Sequence, residues 1–134
     1  MGENEERYVT EAFRTNWVAP LGPNVDAFED QLSTFTGVKA AAALSSGTAA
    51  LHLALVLAEV GKGDIVLCQS FTFAASAFPI LYNGATPVFI DSESDTWNMD
   101  PELLRQAVKE HIEKGQKPRA IIAVHLYGMP AKMH

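Results

Sequence analysis

Four small polar residues, Ser45-Ser46-Gly47-Thr48, separate a short apolar run ending at Leu44 from a long one starting at Ala49. Polar side chains in such a place cap something or bind something. The first turn of a helix has N–H groups with no partner inside the helix, and its dipole is positive at that end. A helix opening at about Gly47 therefore offers an anion site. Glycine lets a ligand approach the backbone, and Ser46 and Thr48 add hydroxyl donors. A phosphate suits these groups. An N-cap from Ser45 or Ser46 on a core helix explains the same spacing equally well. The stretch is neither a Walker A loop nor G-x-G-x-x-G, so nothing specific points to a nucleoside triphosphate or a dinucleotide.

Other residues able to do chemistry are scattered. Cys68 is the single cysteine, in the strand-like run "DIVLC", and reads as a small buried hydrophobe rather than a nucleophile. One cysteine makes neither an internal disulfide nor a metal cage, which fits a reducing, cytoplasmic setting. His52 falls inside an apolar helix and reads as a core histidine. Asp91, Asp95 and Asp100 read as turn and cap residues, and no metal site is expected among them. His125 and Tyr127 in "VHLYG" close a strand-like run, the edge where α/β folds place ligands.

The elements that must position these groups follow from periodicity. Tyr8, Val9, Ala12 and Phe13 mark a first helix, "NWVAPLGPNV" breaks it with two prolines and a glycine, and a second helix from Pro23-Asn24 ends at Gly37. Four strand-like runs follow: 38–44, 64–70, 86–91 and 119–128. Helical patterns lie between them at 47–61, 73–84 and 100–115. The second helix presents Val25, Phe28, Leu32 and Phe35 on one face. The pattern over 47–61 is apolar nearly all round, so it is expected to be buried. Asp100 as N-cap and Pro101 at the first position open the last helix. Strands alternating with helices imply an α/β layer with a mostly parallel sheet. Because the sequence stops just after a strand, that layer is expected to be incomplete, with exposed edges prone to association.

Composition narrows the function classes. The 134 residues are 48% hydrophobic and 19% charged, a balance that favours a packed domain over disorder. A net charge of -6 and the lack of a basic stripe exclude a nucleic-acid backbone as a natural partner. The acidic start "MGENEERYVTEAF" is no secretory signal, and no apolar stretch reaches the length of a membrane span.

Five segments, "NWVAPLGPNVDAFEDQL", "ALSSGTAALHLAL", "VGKGDIVLCQSFTFAASA", "GATPVFIDSESDTWNMDPELL" and "AIIAVHLYGMPAKM", together resemble the DegT/DnrJ/StrS family of sugar aminotransferases. The resemblance runs in order along nearly the whole chain. It implies the aspartate-aminotransferase (fold type I) architecture, with an N-terminal helix and Pro-rich loop over 1–24 and part of the large cofactor domain over 25–134. It also implies pyridoxal 5'-phosphate as cofactor, with glutamate and a nucleotide-linked keto sugar as substrates. The "PLGPNV" signature points to a 4-keto-6-deoxy sugar for surface polysaccharide or glycan synthesis. A homodimer is expected, with no nucleic acid and no membrane as partner.

Residue by residue, the resemblance assigns the cofactor phosphate to Gly47, Thr48 and Ala49, and a ring-stacking role to Phe73; alternation then makes Phe71 core, although two core phenylalanines opening a helix explain the pair as well. It puts Asn16 and Trp17 on the substrate side, although a rigid connector with Trp17 packed on the next helix explains them as well. His125 and Tyr127 are site neighbours. The lysine that bonds the cofactor aldehyde and the aspartate that protonates the ring are expected beyond residue 134. None of Lys39, Lys62, Lys109, Lys114, Lys117 and Lys132 matches the family's lysine motif, and all read as solvated charges. Lys132 and His134 in "PAKMH" stand where the family pattern is acidic. The 134-residue chain is therefore expected not to transaminate by itself. The alternative is a phosphate- or cofactor-binding module without the lysine.

Overall fold

The computed structural model describes residues 2–133. The backbone divides into two compact units after Leu44, later than the sequence boundary after residue 24.

The first unit is helical. Helix α1 (Glu5–Arg14) carries glutamates in its first turn and Arg14 in its last, matching the helix dipole. Helix α2 (Pro23–Thr36) begins on the expected proline, whose missing N–H costs nothing there. Gly37 ends α2 at φ 72, a left-handed conformation that glycine adopts without strain. Residues 38–44 do not form the expected strand. Alanine gains little from a pleated surface, and the Ala43 N–H donates to the Glu29 carboxylate (2.7 Å) instead of to a ladder.

The second unit is a three-layer α/β structure. Helix α3 (Gly47–Leu57) leads to β1 (Ile65–Gln69), and a short 3-10 turn (Ala74–Ser76) and α4 (Phe78–Tyr82) lead to β2 (Thr86–Ile90). Helix α5 (Pro101–Glu113) then leads to β3 (Ala120–Ile122), followed by a single 3-10 turn (Leu126–Gly128). Among the described residues three strands are thus formed instead of four, all parallel in the order β2-β1-β3. The last strand stops well before residue 128, and the helix expected over 73–84 is broken at Ala77, two residues before Pro79.

Side chains alternate across β1. Val66 and Cys68 point to one face, where they meet Leu51, Leu55, Ile80 and Ile122. Leu67 points to the other, where it meets Val88, Ile90, Met99 and Leu104. Helices α3 and α4 therefore cover one face and α5 the other. Every residue of β1 is buried, as a central parallel strand requires. Cys68 is the buried small hydrophobe expected, its thiol pushed up to about 11 by desolvation.

Helix α3 departs from expectation: only Leu55 is buried, while Leu53, Val56 and Leu57 remain exposed. His52 is half-buried rather than core, with its ring edge-on to Tyr82 at 5.6 Å. Among the described residues no helix is long and apolar enough to cross a membrane.

Candidate functional site

Local chemistry fixes the start of α3. Ser46 is extended (φ -165, ψ 162), and its hydroxyl accepts from the Ala49 N–H (3.1 Å) while its carbonyl accepts from the Ala50 N–H (3.0 Å). Ser46 is the N-cap. The capping reading and the anion reading are therefore compatible: one hydroxyl satisfies Ala49, and the N–H groups of Gly47 and Thr48 find no partner among the described residues. No acidic residue occupies this first turn. Gly47 has an ordinary helical start, so its lack of a side chain is not needed for the turn. A Cβ built there meets no heavy atom within 4 Å, which leaves room for a group that is not part of the chain. Thr48 and Ala49 are half-buried beside it. The donor set and the open space fit a phosphate.

Packing sets the direction of α3. Arg119, at the start of β3, donates through Nε to the carbonyl of Ala58 at the end of α3 (2.9 Å) and through its own backbone N–H to Ile65 of β1 (2.9 Å). The C-terminus of α3 thus lies at the edge where the strands begin. Leu51 and Leu55 both rest on the sheet, so the helix runs along it and its N-terminus points to the edge where the strands end.

That edge carries the other unit-two candidates. The loop after β1 goes to the α4 face; Val124, just after β3, still packs on that face, and farther along Ala131 and Met133 line a groove with Leu104 and Val108 of α5. Both leave the sheet at the carboxyl ends of its parallel strands, the edge where open α/β sheets bind ligands. A hollow of about 410 Å³ opens there, lined by Phe71, Thr72, Phe73, Val124, Leu126 and Tyr127. The structure therefore brings Phe73 and Tyr127 together. Both present open rings: Phe73 is 79% and Tyr127 99% exposed.

Phe71 is not a core residue. It is 51% exposed and stands edge-on to Trp97 at 5.9 Å, because β1 has already ended at Gln69. Neither His125 nor Tyr127 ends a strand. Both follow β3, with Tyr127 at φ 49, a left-handed conformation unusual for a bulky residue. His125 Nδ1 accepts from the Ala131 N–H (3.0 Å), a structural bond that closes the segment after the turn. Asn16 and Trp17 belong to the first unit. Trp17 lies over Gly22 (φ +144), where a Cβ would sit 2.9 Å from the ring, so the indole fixes the proline-containing connector before α2. Asp91 and Asp100 do cap backbone N–H groups, accepting from Ser92 and from Glu102 and Leu103.

Three buried polar side chains escaped the sequence reading. Gln69, fully buried at the end of β1, donates to the carbonyls of Phe71 (2.8 Å) and Trp97 (3.3 Å) and accepts from the Met99 N–H (3.1 Å). Asn98, also fully buried, bonds Thr96, Leu126 and Met129. Glu93 accepts from the N–H groups of Asp95 and Thr96, from the Thr96 hydroxyl, and from Lys132 Nζ (2.8 Å). Gln69 and Asn98 sit in "CQS" and "WNM", where no periodicity marks a buried amide. The available signal was only that each follows or interrupts an apolar run.

Lys132 is accordingly no free surface charge. It bridges Glu93 and Asp95, both at 2.8 Å. The ammonium, then the Thr96 hydroxyl, holds Glu93 down at about 2, and the two carboxylates raise Lys132 above its usual value. His134 lies outside the described residues. No group of His, Cys, Asp and Glu able to hold a metal ion occurs among the described residues.

The chain matches the model of the DegT/DnrJ/EryC1/StrS aminotransferase family over residues 1–134. It is 62% identical over 99% of its length to EpsN of Bacillus subtilis (strain 168), provisionally named a pyridoxal phosphate-dependent aminotransferase, and covers 34% of that protein. It is 40% identical over 97% of its length to the GDP-perosamine synthase of Caulobacter vibrioides, covering 33% of it. Among solved structures, a DegT DnrJ EryC1 StrS aminotransferase from Brucella abortus superposes with a TM-score of 0.86 at 37% identity, over 95% of this chain and 34% of that one. The Streptococcus pneumoniae protein Spr1654, provisionally a sugar aminotransferase and solved in a PLP form, superposes at 0.83 with 36% identity, over 98% of this chain and 32% of that one. The chain thus spans about a third of the length of the relatives it matches. The family uses pyridoxal phosphate, the fold is that of its sugar aminotransferases, and this chain belongs to the DegT/DnrJ/EryC1/StrS aminotransferase family.

Proposed function

We propose that this chain forms the phosphate cradle and ring-stacking wall of a pyridoxal-phosphate-dependent aminotransferase that moves an amino group from glutamate to a nucleotide-linked 4-keto-6-deoxy sugar. The product would serve surface polysaccharide or glycan synthesis. One observation carries the reading: the start of α3 leaves the Gly47 and Thr48 N–H groups unpartnered beside open space. Likeness to GDP-perosamine synthases and to the spore coat polysaccharide biosynthesis protein SpsC of Bacillus subtilis supports the substrate class. We further place the enzyme in the cytoplasm and as a homodimer, with Asn16 and Trp17 on its substrate side.

When bound, the cofactor supplies an aldehyde carbon for the amino group and a ring that takes up an electron pair. The residues here bind and orient it. Gly47 and Thr48 donate backbone N–H groups to the phosphate, Thr48 adds its hydroxyl, Ala49 keeps the turn narrow, and the dipole of α3 adds to their charge complementarity. Phe73 offers a ring face to the pyridine without using a hydrogen bond.

Three of the six lysines are engaged by carboxylates. Lys132 is held protonated between two carboxylates, and Lys109 and Lys114 sit within 4.0 Å of glutamates on α5. We therefore propose that the 134 residues bind cofactor but do not transaminate.

Calorimetric titration of pyridoxal 5'-phosphate and of inorganic phosphate tests this, followed by borohydride reduction and peptide mapping. Competitive binding of the two, with no single lysine labelled, is the expected result. Specific labelling of one lysine would overturn the assignment of the amine to a residue outside this chain, and absence of any binding would overturn the cradle.

A further inference from the structure

We propose that Asn98 is a positioning residue: its buried carboxamide clamps both ends of the Leu126–Gly128 turn and so holds Tyr127 in the hollow it shares with Phe73, giving a planar cofactor ring a second aromatic wall. The inference rests on the cofactor reading of the site given above.

Three observations carry it. First, the bonds of Asn98 bracket Tyr127. Oδ1 accepts from the Leu126 N–H (2.9 Å), and Nδ2 donates to the Met129 carbonyl (2.9 Å) and to the Thr96 hydroxyl (3.1 Å). The side chain is 0% exposed, so water does not compete for these bonds. Second, the clamped turn is strained. Tyr127 at φ 49 persists only where its surroundings over-determine it, and residues in such conformations concentrate at functional sites. Third, the strain serves no packing purpose within the chain. Tyr127 is 99% exposed, yet it lines the hollow with Phe73 and Leu126. A fold that spends a buried amide and a left-handed tyrosine on a fully open ring is presenting that ring to something else.

Asn98 is itself held from behind. The Gln69 carboxamide bonds the Trp97 carbonyl and the Met99 N–H, the residues on either side of Asn98. The loop of Glu93, Thr96 and Lys132 fixes the same two segments a few residues away. Position is thus relayed from the buried end of β1 through Asn98 to the turn that carries Tyr127.

The test compares two probes, pyridoxal 5'-phosphate and inorganic phosphate, by calorimetry on the 134-residue chain, on Asn98→Asp, on Tyr127→Ala and on the double variant. The expected wild-type result is tighter binding of pyridoxal 5'-phosphate than of phosphate, the margin reporting the ring. Asn98→Asp keeps the acceptor for Leu126 but loses the donor to Met129. It should cut that margin by roughly five- to tenfold and leave phosphate affinity unchanged. Tyr127→Ala should cut it by the same amount, and the double variant should lose no more than either single one, since Asn98 acts through Tyr127.

Additive losses, or an equal loss for both probes, would show that Asn98 is only structural and overturn the proposal while leaving the phosphate cradle intact. An unchanged margin in Tyr127→Ala overturns it whether or not the Asn98 variants fold, because that side chain is fully exposed. Equal wild-type affinity for the two probes also overturns it and spares the cradle. Failure of the wild type to bind either probe overturns the cofactor reading itself, and this inference with it.

Discussion

Helices α3 and α5 begin alike and offer opposite chemistry. Both are N-capped by an extended residue whose side chain accepts from the first turn. At α5 the cap is a carboxylate. Asp100 takes the N–H groups of Glu102 (2.7 Å) and Leu103 (3.2 Å), Pro101 has none to give, and the Leu104 N–H reaches the Asp100 carbonyl. No donor is left over, and two acidic side chains sit on the positive end of the dipole. At α3 the cap is a neutral hydroxyl that takes one N–H and leaves two free. A cap that satisfies every donor makes a stable helix start. One that leaves donors beside a glycine keeps hydrogen-bonding capacity that an anion could use.

The comparison breaks most sharply if α3 is given the chemistry of α5. Ser46→Asp keeps the helix cap, so stability should move by no more than about 0.5 kcal/mol. The added charge repels an anion, so inorganic phosphate affinity should fall by roughly tenfold or more in calorimetry. Unchanged affinity would mean that α3 is capped and nothing else. Gly47→Ala should weaken phosphate by a comparable factor while denaturant unfolding shows no loss of stability, because the new methyl meets nothing in the chain. Parallel loss of stability and affinity would instead assign Gly47 to the fold.

At α5 the expected effects are reversed. Asp100→Ala should cost about 1 kcal/mol in urea unfolding, the usual worth of a lost N-cap, and leave phosphate binding untouched. A drop in phosphate affinity would mean that the two helix starts are coupled.

The smallest effect sharpens the contrast between hydroxyl and carboxylate. Glu93, in the loop before α5, is lowered from 4.5 to about 2 in the folded chain by Lys132 and Thr96. A carboxyl whose folded value is depressed adds stability above its unfolded value and loses it as pH falls. Thermal stability should therefore decline between about pH 4.5 and pH 2, and Lys132→Met should flatten that decline. The hydroxyl of Ser46 does not titrate there, so Ser46→Ala should leave the acid profile unchanged in shape. An acid profile indifferent to Lys132→Met would remove the ion pair from the account.

The two units also differ in how legible they were. In the first, the helix stripe of Tyr8, Val9, Ala12 and Phe13, the proline start of α2 and its glycine stop all follow from local rules. Yet no residue of α1 or α2 is buried. In the second, Asp100-Pro101 and Ser46-Gly47 were readable because caps and helix starts depend on neighbours within four residues. Residues 38–44 and 123–128 were misread as strands because a strand exists only when a partner takes its ladder bonds. Phe71 was misread as core because inward and outward alternation means nothing past the end of β1 at Gln69, where the ring stands against Trp97 instead.

Short-range rules were enough for the alternation of helices and strands from residue 47 to 122, for a helix start with a serine cap at Ser45 or Ser46, and for the family of the chain. These rest on short-range hydrogen bonding, on periodicity and on motifs kept in line along one polypeptide. Tertiary structure decided which rings meet and what holds them. Gln69, Asn98 and Glu93 are ordinary polar letters in the sequence. Only the meeting of the end of β1, the β2–α5 loop and the segment after β3 at one sheet edge buries them and supplies their partners from 28 to 39 residues away.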